Sequence, residues 1–321
     1  VRQRHGVGEV TAAVPVARSR AVRAAERGSD RAARPGVVWV LPAVFFFGLF
    51  AGLPLVLVAV LSFTSWNGLG TPAFNGLDNW RRLLKDSSVL DSLQISAVLT
   101  ALCWAVQTPL AMLLGVWAAG RQRNRAVLSS IFFLPLLMST AAIAITWLTL
   151  LDPNFGLAAK FGHYIGFPDG NIIGSPRGAL ACVVVVVTWQ FVPFHTLLYQ
   201  AAARQVPRSL YDAATVDGAG RVRQFRHVTL PQLRNTIVTS SVLMLVGSLT
   251  YFETVLILTQ GGPGTATTIL PQKMYISAFR DYQMGYASVI ALALVALGTA
   301  LSLLIVRFSG FAKMRSTLEG M

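Results

Sequence analysis

Charge is scarce in this chain. Of 321 residues, 12% are Asp, Glu, Lys or Arg, where a soluble domain carries about 25%. Hydrophobic residues make up 54%, with a mean hydropathy of +0.58. This excludes an ordinary soluble domain and points to a membrane chain with its charge confined to loops. Cysteine is nearly absent. Cys103 and Cys182 both fall in apolar stretches, so no disulfide framework or Cys-based zinc site can be built, and both read as small packing residues. The four histidines, at 5, 163, 195 and 227, are scattered, and no H-E-x-x-H occurs; no metal constellation follows. The lysines follow Leu84, Ala159, Gln272 and Ala312, never a glycine. There is therefore no G-x-x-x-x-G-K-[ST] phosphate loop and no ATPase within the chain. Ser, His and Asp show no spacing that argues for a triad. A self-contained enzyme is not expected, nor a catalytic residue, metal or cofactor on this chain.

What is present is length in apolar runs. A span needs about 20 mostly apolar residues, and six stretches qualify, at about 37–63, 93–119, 126–151, 179–203, 237–259 and 285–306. The expected fold is an all-α integral membrane bundle over 37–308. A disordered basic arm precedes it over 1–36, and a short tail follows over 309–321. The arm is too long and the first apolar run too extended for a usual cleaved signal peptide, so the first span is expected to be retained. Basic residues give the orientation. The arm holds eight Arg, 121–125 three, 204–234 six and the segment beyond span six three, while the alternate loops at 64–92, 152–177 and 260–284 hold three, two and two. Positive loops favour the cytoplasm, so both termini and the 204–236 loop are expected there. The net charge of +14 then serves anionic lipid headgroups. No aromatics alternate with the Arg residues of the arm, so nucleic acid is not an expected partner. Pro42, Pro54, Pro109, Pro135 and Pro193 lie inside the expected spans, where each frees a carbonyl and kinks a helix.

Between spans four and five stands a polar stretch, VPRSLYDAATVDGAGRVRQFRHVTLP. Pro207 suits a first helical turn. Tyr211, Ala214 and Thr215 share a helical face. Gly218 and Gly220 permit a sharp bend, a second short helix can start near Arg221, and Pro231 marks the return to the membrane. The pattern predicts a helix–bend–helix knuckle that offers Tyr, Ala and Phe to a partner's groove.

This stretch resembles the EAA loop of ABC-importer permeases, the E-A-A-x-x-D-G-A…LP pattern, through Asp212, Ala213, Ala214, Asp217, Gly218, Ala219, Leu230 and Pro231. Asp212 stands where the family usually has Glu, keeping the charge with a shorter reach. A second stretch, YFETVLILTQGGPGTATTILPQKMYISAFRDYQMGYAS over 251–288, resembles the carbohydrate-importing branch, as does FNGLDNWRRLL over 74–84. The similarity covers about 37–308, and the maltose-permease-like and glycerol-phosphate-permease-like subunits are nearest in pattern. The resemblance implies a type I (MetI-like) permease core in a bacterial cell membrane. It also implies a homologous second permease, two ATPase subunits carrying the ATP and Mg, an extracytoplasmic solute-binding protein and a sugar substrate. The coupling residues it implies are Tyr211, Asp212, Ala213, Ala214, Asp217, Gly218, Ala219, Phe225, Leu230 and Pro231, seated in a cleft of the ATPase.

The same resemblance places substrate midway through the membrane, and polar groups there are costly and hence candidates. Span five offers Thr250, Tyr251, Phe252 and Glu253, the last being the only carboxylate deep in a span; span four offers Trp189 and Gln190 as a stacking and hydrogen-bonding pair. His195 reads as a packing group, and Gln94 and Gln107 as weaker candidates. Outside, Leu77, Trp80 and Leu84 read as an interfacial helix with a Trp anchor, and the turn-rich loops 152–177 and 260–284 as the dock for a binding protein. A di- or oligosaccharide is the expected cargo. A polyol phosphate, an ion-coupled transporter with Glu253 as its proton site, and a membrane receptor or scaffold remain as alternatives.

Overall fold

A computed structural model of the protein describes residues 39–120, 130–248 and 251–309. The arm expected over 1–36, the basic loop 121–125, Thr250 and the expected tail beyond Ser309 lie outside the described residues. The chain divides into two compact units, Val1–Val56 and Leu57–Met321.

The first unit contains most of α1, Leu41–Leu61. Its sequence is apolar on every side, the signature of a helix solvated by lipid, and Phe45, Phe46, Phe47 and Phe50 are all exposed. Pro42 begins the helix rather than kinking it. Ahead of Pro54 lies a π-helical turn, Gly48–Gly52, closed by the Leu53 N–H donating to Gly48 O. The wider turn accommodates the donor that Pro54 lacks.

The second unit is built on two long helices, α2 (Ser87–Ala118) and α3 (Pro176–Gln205). Both outrun the apolar stretches at 93–119 and 179–203, because side-chain caps start them early: Asp86 accepts from Ser88 N and Ser175 from Gly178 N. Pro109 and Pro193 lie within continuous helix. The two helices cross at Gly115, where an added Cβ would stand 2.6 Å from Tyr199 Cβ and 2.9 Å from Thr196 O. Gln200 Nε2 then donates to the otherwise free Ala118 carbonyl at the end of α2. Gly115→Val is expected to lower the thermal midpoint of the detergent-purified chain, at a cost of about 1–3 kcal/mol for overpacking a backbone crossing. An unchanged midpoint would mean that the crossing has slack.

The expected span at 126–151 is described from residue 130 on, and there it is broken: helical residues 130–132 end at Phe133, and α4 (Leu134–Leu137) and α5 (Thr140–Leu150) follow, separated at Met138 and Ser139. Pro135 opens α4. Ser139, extended and accepting from Ala142 N, caps α5. Continuous hydropathy hides this break because it changes no side chain's polarity. Span five is likewise divided, into α6 (Arg234–Ser248) and α7 (Phe252–Leu258), which meet at 50°. The last span is α8, Met284–Ser309. Four described helices are long and apolar enough to cross a bilayer, five if the bent pair counts as one span.

The core packs where α2, α3, α5 and α7 meet, around Leu99, Cys103, Ile143, Val183, Val187 and Val255. Cys103 and Cys182 are free thiols buried in it, as packing residues should be.

Candidate functional site

The knuckle forms as its sequence predicts. Helix α9 runs Arg208–Val216 after Pro207, the chain turns at 217–220 with Gly218 at φ +74°, and α10 starts at Arg221. A π-helical turn, Phe225–Thr229, and Leu230–Gln232 lead into α6. Side chains brace the bend from within. Gln224 Nε2 donates to Thr215 Oγ1 and to Ala219 O, both at 3.0 Å, and the hydroxyls of Tyr211 and buried Thr229 bond at 2.9 Å. Tyr211 and Phe225 are half-buried, and the Tyr211 hydroxyl is turned to the other arm of the knuckle. Asp212, Ala213, Asp217, Gly218 and Pro231 are exposed, and Ala214, Ala219 and Leu230 are half-buried. A hollow of about 390 Å³ between the two arms is lined by Ala213, Ala214, Asp217, Arg223 and His227, among others. Leu210, Ala219 and Val228 complete a wall that is half apolar and half polar. Two apolar side chains that the face-by-face reading missed, Val216 and Val222, stand 88% and 82% exposed on the flanks. Only their position beside the bend marks them in the sequence.

From the knuckle, α6 is tied to the other spans by polar contacts. His195 Nδ1 of α3 and Ser240 Oγ lie 2.9 Å apart, both buried, and Trp104 Nε1 of α2 donates to Ser241 Oγ at 2.8 Å. His195 is thus a satisfied packing group, as its sequence context indicates. These bonds tie α6 to α3 and α2.

The elbow ends at Tyr251, which is 3% exposed and packs on Phe191 at 5.7 Å between ring centroids. Gln107 and Cys103 of α2 lie beside it. Gln107 is fully buried beside the Tyr251 hydroxyl and the Cys103 thiol, and neither amide atom makes a hydrogen bond of good geometry with a described residue; the buried hydroxyls of Thr188 and Thr254 make none with a described residue either. Such groups in a span mark a place where something else supplies the hydrogen bond. Gln190 donates to Thr140 Oγ1 at 3.0 Å and leaves its own Oε1 unpartnered, while Trp189, 40% exposed, stacks edge-on against Trp147. The pair at 189–190 therefore faces α5 as two separate contacts rather than one stacking platform. Phe252 lies 5.1 Å from the Tyr275 ring. Glu253 is exposed and makes no ion pair with any described residue. Thr250 lies outside the described residues. A cavity of about 550 Å³ between α2, α6 and α8 has a mainly apolar wall, into which Ser96, Thr100, Trp104, Ser241 and Ser248 are set. None of Gln107, Gln190, Tyr251 or Glu253 lines it, so it is not the polar site.

At the end remote from the knuckle, a two-stranded hairpin (β1, Thr64–Ser65; β2, Ala73–Phe74) and α11, Asp78–Lys85, lie over α8. Trp80 lies against Phe63, at 6.3 Å between ring centroids, and is half-buried, while Leu77 and Leu84 are 53% and 80% exposed. Buried Asn79 holds α11, donating to Ser62 O and Thr64 O. Arg82 lies 4.0 Å over the Tyr286 ring, and the Tyr286 hydroxyl donates to Asp86 at 2.7 Å. Burial pushes the Asp86 carboxyl up, but bonds from the Ser88 hydroxyl, the Tyr286 hydroxyl and the Ser88 N–H, with the Lys273 charge, outweigh it and hold the group below its usual 3.8. A carboxyl lowered on folding stabilises the fold above its unfolded value, and the contribution disappears as pH falls through the folded value. The thermal-midpoint advantage of wild type over Tyr286→Phe is expected to hold above pH ~5 and to shrink towards pH ~3. A constant gap would show that the bond does not favour the charged form.

The two turn-rich loops differ. In 260–284 the turn is folded inward: Thr267, Thr268 and Ile269 are buried, and the Thr267 and Thr268 hydroxyls close on Gly262 O and Gly261 O. In 152–177 a short helix, α12 (Leu157–Phe161), and the 3₁₀ turn Gly162–Ile165 leave Phe155, Phe161 and Tyr164 exposed.

These features have counterparts in known proteins. The family model "Binding-protein-dependent transport system inner membrane component" matches residues 111–311. The probable ABC transporter permease YurN of Bacillus subtilis is 30% identical over 276 residues, covering 84% of this chain and 94% of the relative. The trehalose/maltose transport system permease MalF of Thermococcus litoralis is 28% identical over 256 residues, covering 79% and 85%. A bacterial ABC transporter involved in the import of the acidic polysaccharide alginate contains a chain of the same fold, with a TM-score of 0.74 at 20% identity, covering 91% of this chain and 98% of that one. They agree with the resemblance carried by 211–231 and 251–288. The chain is a multi-pass membrane protein and belongs to the family of binding-protein-dependent transport system inner membrane components.

Proposed function

We propose that this chain is one of two permease subunits of an ATP-driven sugar importer. It forms half of the translocation path and couples to a separate ATPase through the knuckle. On this reading the chain crosses the membrane six times, with the third crossing broken at Met138 and Ser139, and both termini and the knuckle are cytoplasmic. The asymmetry of basic residues between alternate loops supports that orientation. The observation that carries the proposal is the braced knuckle at 208–232, continuous with α6 and through it with the elbow at Tyr251. A partner that moves the knuckle moves the walls around Gln107 and Tyr251. Sugar hydroxyls pair with the buried amides and hydroxyls there, and Tyr251, Phe252 and Glu253 lie on the segment that moves. A loaded binding protein docks outside, and the exposed Phe155, Phe161 and Tyr164 of 152–177 suit that contact better than the inward-folded 260–268 turn. ATP closing the partner ATPases admits the sugar to the midplane, and hydrolysis resets the path.

The exposed, unpaired Glu253 favours a second reading, in which a proton rather than ATP drives uptake. Vesicles containing the chain and its partners separate the two. Uptake of labelled maltose or maltotriose that needs ATP and a binding protein, and survives a protonophore, supports the importer; uptake abolished by the protonophore and indifferent to ATP overturns it.

A further inference from the structure

We infer that the end of α3 remote from the knuckle carries a binding site for an anionic phospholipid. Beneath the 152–177 loop a crevice of about 420 Å³ runs between α5 and α3. Trp147 and Leu151 form one wall, Ala181 and Val185 the other, Phe167 roofs it, and Arg177 stands at its head. Arg177 is the only charged side chain on the lining. It is exposed and makes no hydrogen bond or ion pair with any described residue.

Three features fix the class of ligand. Arg177, Ala181 and Val185 are spaced four apart and are all exposed, so they form a single stripe on the outer surface of the helix. The groove below Arg177 exists because Ala181 is small. The helix begins at Pro176, which puts the guanidinium at headgroup depth and Ala181 and Val185 one and two turns into the hydrocarbon. The lining is apolar below its one cation. Water gains nothing in such a crevice, a sugar finds too few hydrogen-bonding groups, and an acyl chain fits. A guanidinium is planar and bidentate towards phosphate, so the headgroup phosphate completes Arg177 while the chain fills the groove. The leaflet this implies, the one facing away from the ATPase, rests on the proposed orientation; occupancy of the crevice does not.

Native mass spectrometry of the full chain, extracted in mild detergent with whatever subunits accompany it, tests the site by titration with phosphatidylglycerol. Arg177→Gln, a substitution of an exposed side chain, is expected to weaken the binding by about tenfold, the size of one charge-assisted bond, and to remove the preference over phosphatidylcholine. Ala181→Leu, which fills the groove, is expected to weaken binding of both lipids with the thermal midpoint unchanged. Wild-type binding in both variants overturns the proposal, since the lipid then sits at the basic knuckle side. Displacement by excess inorganic phosphate also overturns it, since the groove then contributes nothing. A crevice that takes no lipid only when the second permease is present overturns it too, in favour of a protein occupant. The readout is lipid mass on the chain, so failure of the importer reading, with no ATPase and no ATP-driven uptake, leaves this result independent.

Discussion

Gly218→Asp is expected to reduce ATP-driven uptake about tenfold or more, equivalent to at least ~1.4 kcal/mol of lost coupling, while the chain itself folds as before. The structure makes this a clean test. Gly218 sits at φ +74°, and no atom lies within 4 Å of a Cβ built there. Aspartate is among the few residues that accept the left-handed region. The substitution meets no described atom, and the modest strain of a side chain at this φ is one that an exposed bend absorbs with little change in the midpoint, so a large loss of uptake arises at the surface a partner meets. It places a second carboxylate next to exposed Asp217 at the tip of the knuckle, where a partner cleft shaped for the bare bend must accommodate both charge and bulk. The checks are the thermal midpoint, expected to be unchanged, and the amount of ATPase that co-purifies, expected to fall with uptake. Normal uptake with normal ATPase recovery would remove the knuckle from the mechanism.

Gln107→Leu is expected to do two opposite things. Both amide atoms of Gln107 are fully buried with no well-formed hydrogen bond to a described residue, which costs up to about 1–3 kcal/mol. Leucine fills a similar space without that cost, so the thermal midpoint of the purified chain should rise. If the amide serves sugar hydroxyls beside Tyr251, uptake at sub-saturating sugar should fall, by about tenfold for one lost buried bond to a polar partner. A residue with a purely structural role cannot give a stabler protein that transports worse. A higher midpoint with unchanged uptake would assign Gln107 to packing and move the sugar elsewhere.

The knuckle was the most legible part of the molecule because its signals are local. Pro207, Gly218, Gly220 and Pro231 each act on their own backbone, and the helix bounds at Arg208–Val216 and Arg221–Gln224 follow them closely. The interior was less legible. Proline marks breaks only in part: Pro135 opens α4 and Pro54 follows a π-turn, but Pro109 and Pro193 sit in continuous helix, and the break at Met138 and Ser139 has no proline of its own. A run of uniform hydropathy conceals where a helix ends, because lipid and protein core reward the same side chains. The direction of side chains was also hidden. The sequence places Tyr211 and Phe225 on a face for a partner; the structure ties the Tyr211 hydroxyl to Thr229, leaves both rings half-buried and exposes Val216 and Val222. Glu253 was prominent by its charge, and Gln107 was ranked low because Gln is unremarkable one residue at a time. Its burial without a well-formed hydrogen bond depends on helices far apart in sequence, and only the fold brings them together.

The most direct test of the central claim is to tag the chain, extract it in mild detergent and identify every protein that leaves the membrane with it. A P-loop ATPase and a second homologous permease are expected with the wild-type chain, the ATPase being lost selectively from Gly218→Asp. A chain that emerges alone in both forms would contradict the account, and would turn attention to Glu253 and to uptake driven by protons.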